Sequence, residues 1–217
     1  MKNFLLNLIF PEFCIGCKKE GTYLCQDCLS LINISNTSLK IEKEIKTIYC
    51  ATDYNNLIIK RLITTFKYKP FAKELSKTLA FIIIIYFQNL EKLPDFFKKK
   101  NEFLLIPIPL YKKRLKWRGF NQAEEISKIL SEIFKIPQIP NVLIKTRQTI
   151  PQLNLPQEKR KENVKGVFAC TKPELIKGKN ILLIDDVITT GATIQEAAKT
   201  LKKSGAKQIL GIVVAGG

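Results

Sequence analysis

Apolar and polar positions divide the carboxy-terminal half of the chain into short buried runs and amphipathic segments. Residues 102–108, 180–185 and 208–215 are apolar runs of strand length, the pattern of strands covered on both faces. Between the first two, Ala123, Ile126, Ile129, Leu130 and Ile133 recur on one face of a helix over 121–134. A further helix is expected over 192–204, stopped at Gly205. Shorter strands are expected at 142–145 and 166–170. Upstream, 55–68 and 71–88 read as helices parted at Pro70, with a polar break at 96–101. Strands alternating with helices predict an α/β architecture, a parallel sheet with flanking helices. The polar stretch 146–165 is too long for an ordinary connection, and such loops are usually functional or mobile.

The amino-terminal stretch is organised differently. Cys14-x2-Cys17 and Cys25-x2-Cys28 are two paired-cysteine knuckles, and four thiolates spaced in this way can enclose one tetrahedral Zn²⁺. Gly16 and Gly21 suit the tight turns such knuckles need. Two disulfides, or a redox pair, are the rival readings. A closed site of four sulfurs would stabilise rather than catalyse. Cys50 and Cys170 stand alone and read as small core residues.

Composition removes several chemistries. The 217 residues include no histidine, so Ser-His-Asp and Cys-His catalysis and His metal ligands are excluded. Lys and Arg number 36 against 19 Asp and Glu, a formal charge of +17. That favours anionic partners such as phosphates or nucleic acid. The longest apolar run, 79–87, is far short of the roughly 20 residues of a membrane span. The opening MKNFLLNLIFPEFC carries no secretion signal. A cytoplasmic location and reduced or metal-bound cysteines are therefore expected.

The stretch ILLIDDVITTGATI at 181–194 is the most informative. An apolar strand is expected to end in Asp185 and Asp186, followed by a Thr- and Gly-rich turn and a helix. At the carboxyl edge of a parallel sheet this is where ligands bind. Thr189, Thr190, Gly191, Ala192 and Thr193 would lie at a helix N-terminus, which favours phosphate. The carboxylates suit a sugar diol or Mg²⁺. The combination asks for a phosphate next to a hydroxyl pair, as in ribose 5-phosphate. It is not a P-loop, because the Gly-Lys-Ser/Thr pattern is missing.

A second basic segment follows the strand at 102–108. Lys112, Lys113, Arg114, Lys116 and Arg118 are interleaved with Tyr111, Trp117 and Phe120. Arginines can clamp a diphosphate, whereas basic and aromatic faces together can track a single nucleic-acid strand. A solvated helix flank is the plain alternative.

The 181–194 stretch resembles the phosphoribosyl pyrophosphate (PRPP) signature of type I phosphoribosyltransferases. With PIPLYKKRLKWRGFNQA at 107–123, RQTIPQLNLPQEKRKENVKGVF at 147–168 and the four-cysteine head, the chain resembles the ComF family of competence-associated phosphoribosyltransferase-like proteins. The likeness covers nearly the whole chain, with 36–56 the least matched. It implies a zinc-binding head over 1–35, holding the metal on Cys14, Cys17, Cys25 and Cys28. A phosphoribosyltransferase-like domain would follow over 36–217, with a flap at about 146–168. Asp185 and Asp186 would hold the ribose hydroxyls, with Mg²⁺ bridging to pyrophosphate. The 189–193 turn would hold the 5-phosphate, and Arg114 and Arg118 would donate to pyrophosphate. Flap motif positions would be Arg147, Gln152, Arg160 and Asn163.

Two functions of different class follow from the resemblance. One is a phosphoribosyltransferase using PRPP and Mg²⁺ on an acceptor the sequence does not identify. The other is a PRPP-binding protein that handles incoming single-stranded DNA during natural transformation, alongside proteins of the competence machinery. Lys112, Lys113, Lys116, Trp117, Arg147 and Arg160 would be the nucleic-acid contacts.

Overall fold

A computed structural model describes residues 11–35, 37–40, 44–68, 72–149 and 162–217. Gln152 and Arg160 lie outside the described residues. The strands are β1 (Ser38–Lys40), β2 (Thr47–Asp53), β3 (Phe103–Pro107), β4 (Leu143–Lys145), β5 (Phe168–Cys170), β6 (Asn180–Ile188) and β7 (Gln208–Gly216). The helices are α1 (Gln26–Ser30), α2 (Leu57–Lys67), α3 (Leu75–Gln88), α4 (Lys112–Arg118), α5 (Gln122–Phe134) and α6 (Ala192–Lys203).

Five strands form one sheet in the order β1-β2-β7-β6-β3. All neighbours are parallel except β1, which closes one edge antiparallel to β2. β7 reads as a near-continuous apolar run, and β6 does so up to Ile184, because both of their faces are covered. Leu182, Ile184, Leu210, Ile212 and Val214 pack with α2, α3 and α5 on one face. Ile181, Leu183, Ile209 and Val213 pack with α6 on the other. β4 and β5 stand outside this sheet as a separate antiparallel pair. No helix among the described residues is long and apolar enough to cross a membrane.

Local sequence explains the helices that carry the site. Asn56 caps α2, its Oδ1 accepting from the amides of Ile58 and Ile59. Ile59, Leu62, Ile63 and Phe66 recur at helical spacing and are all buried. Asn121 caps α5 by accepting from the Ala123 amide and also donates to the Ile108 carbonyl. That second bond ties the end of β3 to the start of α5 around α4. Gly119 closes α4 at φ 85 and Gly191 precedes α6 at φ 73, left-handed conformations that favour glycine.

Several expectations need correcting. The sheet's β1 and β2 fall in the Lys- and Ile-rich stretch to which no strand was assigned. The strand at 180–185 runs on through Ile188, so the two aspartates sit inside it rather than at its end. Cys50 and Cys170 are half-buried, not core residues. Trp117 is 53% exposed, whereas Phe120 is buried.

Candidate functional site

Consecutive side chains on a strand point to opposite faces. Asp186 follows Leu182 and Ile184 onto the face covered by α2, and Asp185 follows Ile181 and Leu183 onto the face covered by α6. The carboxylates therefore straddle the carboxyl end of β6. Asp186 is buried and Asp185 half-buried. The Asp185 side chain also accepts from the Asp186 amide at 2.9 Å. Burial first, and then the charge of Asp186, raise the pKa of Asp185 above the ordinary carboxylate range.

Asp186 does not stand alone. Lys67, the last residue of α2, places its Nζ 2.7 Å from Asp186 Oδ1. Burial works against the ammonium, but the attraction of Asp186 outweighs it, and the Lys67 pKa lies above its usual value. Removing one partner of a buried ion pair costs about 3–5 kcal/mol, because it strands a charge. An acid at this depth therefore requires a cation, and the fold supplies one.

Other cations surround the pair. Arg118 is only 6% exposed. Its guanidinium lies 6.0 Å from the centroid of the Tyr68 ring, within cation–π range. Burial lowers its pKa and the charge of Asp186 opposes the shift. Its Nε has no hydrogen-bond partner among the described residues. Arg114 is exposed on the same short helix. On β4, half-buried Lys145 donates to Thr149 Oγ1 at 2.8 Å. Burial, then repulsion from Arg114, pulls its pKa from 10.5 down to about 8, against the attraction of Asp185.

The turn after β6 completes the site. Asp185, Thr189, Gly191 and Thr193 help to line one small cavity, with Ile188 and Val213 beneath. Ala192, the first residue of α6, donates from its amide to Thr190 Oγ1 at 3.5 Å. Of the expected ligand-binding residues, the structure thus brings Asp185, Thr189, Gly191, Ala192 and Thr193 to one cavity, and Thr190 is not among its lining residues. It sets Asp186 on the other face of the strand, under Lys67.

Over this region stands the base of the expected flap. Thr146 donates through its amide and its hydroxyl to the Val167 carbonyl, at 2.9 and 3.1 Å. Arg147 Nη2 donates to the Lys165 carbonyl at 2.9 Å. The Gly166 amide donates to Glu196 on α6 at 2.8 Å. The base of the segment is thereby fixed to the helix that follows the turn. Residues 150–161 lie outside the described residues.

A larger cavity of about 210 Å³ lies at the opposite end of the sheet, where Thr47, Phe103, Asn180 and Gln208 begin their strands. It contains none of the sequence-expected residues, and its lysines face Asp95 and Glu102.

At the amino-terminal head, one ligand atom from each of Cys14, Cys17, Cys25 and Cys28 lies within 4.8 Å of the others. Cys14 and Cys17 sulfurs lie 3.6 and 3.5 Å from that of Cys25. Zn–S bonds of about 2.3 Å in a tetrahedron require sulfurs about 3.8 Å apart, so the residues fit a metal ion. All six described cysteines are free thiols, which disfavours the disulfide reading. A Cβ on Gly16 would come within 2.5 Å of Cys28 Sγ, which explains glycine there.

Parts of the chain are similar to known proteins. Residues 116–216 match the model of the phosphoribosyl transferase domain. The chain is 39% identical over 107 residues to competence protein F of Haemophilus influenzae, covering 48% of this chain and 46% of that one. Against competence protein ComFC of Bacillus subtilis it is 39% identical over 106 residues, 48% of this chain and 40% of that one. DNA utilization protein YhgH of Escherichia coli K12 is 32% identical over 105 residues, 48% of this chain and 45% of that one. The chain thus spans about half the length of the relatives it matches. A purine phosphoribosyltransferase from Pyrococcus horikoshii is a distant structural likeness, with a TM-score of 0.35, 17% identity, and 62% and 67% of the two chains covered. Residues 116–216 are thus similar to the phosphoribosyl transferase domain. The named relatives, competence protein F and ComFC among them, are of the kind that the resemblance to the ComF family implies.

Sequence reading missed Lys67 and Tyr68. A lysine at the end of an amphipathic helix gives no local sign that it meets an acid on a distant strand. The depressed Lys145 can be tested directly. At pH 8 about half of it is neutral, against roughly 0.3% of an ordinary lysine. Brief treatment with acetic anhydride at pH 8, read by peptide mass spectrometry, should modify Lys145 ahead of exposed Lys112 and Lys113. Modification no faster than at those two would contradict the placement.

Proposed function

We propose that the chain binds PRPP with Mg²⁺ at the carboxyl edge of the sheet and handles single-stranded DNA along the neighbouring basic face, in the cytoplasm. The observation that carries this reading is the placement of Asp185 in one cavity with the 189–193 turn. The left-handed Gly191 leaves the start of α6 open to close approach, and helix N-termini favour phosphate. Carboxylate oxygens are the donors Mg²⁺ prefers, so Asp185, in the cavity, would be its ligand, and Asp186 would reach it only by leaving Lys67. When bound, Mg²⁺ would neutralise charge on the diphosphate. Arg114 and Arg118 are the donors for its remaining oxygens. The resemblance implies a flap at 146–168 that would exclude water; of it, the described residues form the base.

Turnover is the second reading. In phosphoribosyl transfer the bond from the anomeric carbon to the pyrophosphate oxygen breaks. The bonding pair leaves with pyrophosphate, and an acceptor nucleophile forms the new bond. Asp185 would oppose the positive charge developing on the ribose. Calorimetry with PRPP and Mg²⁺ tests the site itself. Converting both aspartates to asparagine should abolish Mg²⁺-dependent binding, and unchanged affinity would contradict the assignment. Pyrophosphate release in the presence of nucleobases or amines would then separate an enzyme from a binding protein.

The DNA reading rests on α4. Lys112, Lys113, Lys116 and Trp117 are all exposed, and Tyr68 packs edge-on to Trp117 with centroids 6.5 Å apart. Basic side chains beside stacking rings suit an unpaired strand. Arg147 and Arg160 would extend this face. A labelled oligonucleotide should bind with an affinity that falls steeply with salt, and loss of the three lysines should reduce the log–log slope by about 2. A salt-independent or absent interaction would contradict it.

For the head, the four thiolates are assigned to one structural Zn²⁺. Protein purified without chelator should carry about one zinc per chain, and Cys28→Ser should lower that content. Zinc near zero in the parent protein would contradict the assignment.

A further inference from the structure

The ion pair between Lys67 and Asp186 is held by a rigid support. α2 is capped at Asn56 and buried along one face. Asn56 also donates from Nδ2 to the Leu31 carbonyl at 3.3 Å, and Ile58 packs against the cysteine cluster. The helix therefore runs from the head to the acid pair and fixes the starting point of the Lys67 side chain. The pair is sheltered, with side-chain exposures of 25% for Lys67 and 7% for Asp186.

A second observation marks this arrangement as incomplete. Arg118, close enough to feel the charge of Asp186, has a buried Nε with no acceptor among the described residues. An unsatisfied buried donor is costly and calls for a partner, and an anionic group entering beside it would supply one. Two cations thus act on Asp186, Lys67 by direct contact and Arg118 through its charge.

Resting on the PRPP and Mg²⁺ reading above, we propose that Lys67 is a resident counter-ion of Asp186. A divalent cation displaces it, and its ammonium then pairs with a phosphate oxygen of the incoming ligand. In the free protein Lys67 occupies the oxygen that the metal needs, so the metal alone binds weakly. The metal with its phosphate ester binds well, because the displaced ammonium gains a new anion. Lys67 is thus a positioning residue that couples metal binding to ligand binding.

Mn²⁺ serves as the probe, its free concentration read by electron paramagnetic resonance without any turnover. Lys67→Gln should bind Mn²⁺ alone about tenfold more tightly than the parent protein, a typical coupling between linked sites. The same variant should bind PRPP in the presence of Mn²⁺ more weakly, and Lys67→Arg should restore the parent's weak Mn²⁺ binding. Equal Mn²⁺ affinity in parent and Lys67→Gln, with Asp186→Asn abolishing both, would overturn the role of Lys67 and leave the site intact. If none binds Mn²⁺ at millimolar levels, even with PRPP, both the site reading and this inference fall. Should Lys67→Gln not fold, the parent protein decides. With lysines ¹³C-dimethylated, the Lys67 resonance should shift when Mg²⁺ and PRPP are added together, and a stationary resonance would overturn the proposal.

Discussion

Two neighbouring acids on a buried parallel strand cannot share one environment. The pleat sends Asp185 to one face of β6 and Asp186 to the other, and both lie where a bare carboxylate is unfavourable. The polar features around the carboxyl end of the sheet follow from that constraint. Asp186 meets Lys67 at 2.7 Å. Asp185 keeps a backbone donor and the distant attraction of Lys145. The basic side chains of α4 and β4 gather round the pair, and the pKa of Lys145 is lowered by burial first and then by repulsion from Arg114.

The same constraint gives the elements a common purpose. α2 stands on the cysteine head and carries Lys67. α4, tied between β3 and α5 through Asn121, carries Arg114 and Arg118. The β4–β5 pair carries Lys145 and the base of the 146–168 segment, which is fastened to α6 through Glu196. Three separate pieces of chain thus deliver positive charge to one end of a single strand. A metal in the head would act at a distance, by holding the helix whose last residue touches the acid pair.

Much of this was legible from sequence, for local reasons. Two CxxC pairs a few residues apart lie within reach of one another, and the structure gathers their sulfurs. The run from Ile181 to Ile194 encodes strand, turn and helix consecutively, so its order needs no tertiary information. Strand β2 was less visible. Thr47, Tyr49 and Thr52 interrupt its apolar pattern, and it becomes a strand by pairing with β7 far along the chain. The ion pair was invisible for the same reason, since Lys67 and Asp186 meet only through the packing of α2 on the sheet. Arg118 shows the limit of reading a charge run. Its neighbours face solvent, but the left-handed turn at Gly119 ends the helix and Arg118 itself is buried.

The most direct measurement is a map of backbone amide resonances in ¹⁵N-labelled protein during titration with PRPP and Mg²⁺. The account predicts that the largest shifts fall at Asp185, Asp186 and the 189–193 turn, with a second set at the end of α2. Shifts confined to the cavity at the other end of the sheet, or none at saturating ligand, would contradict it.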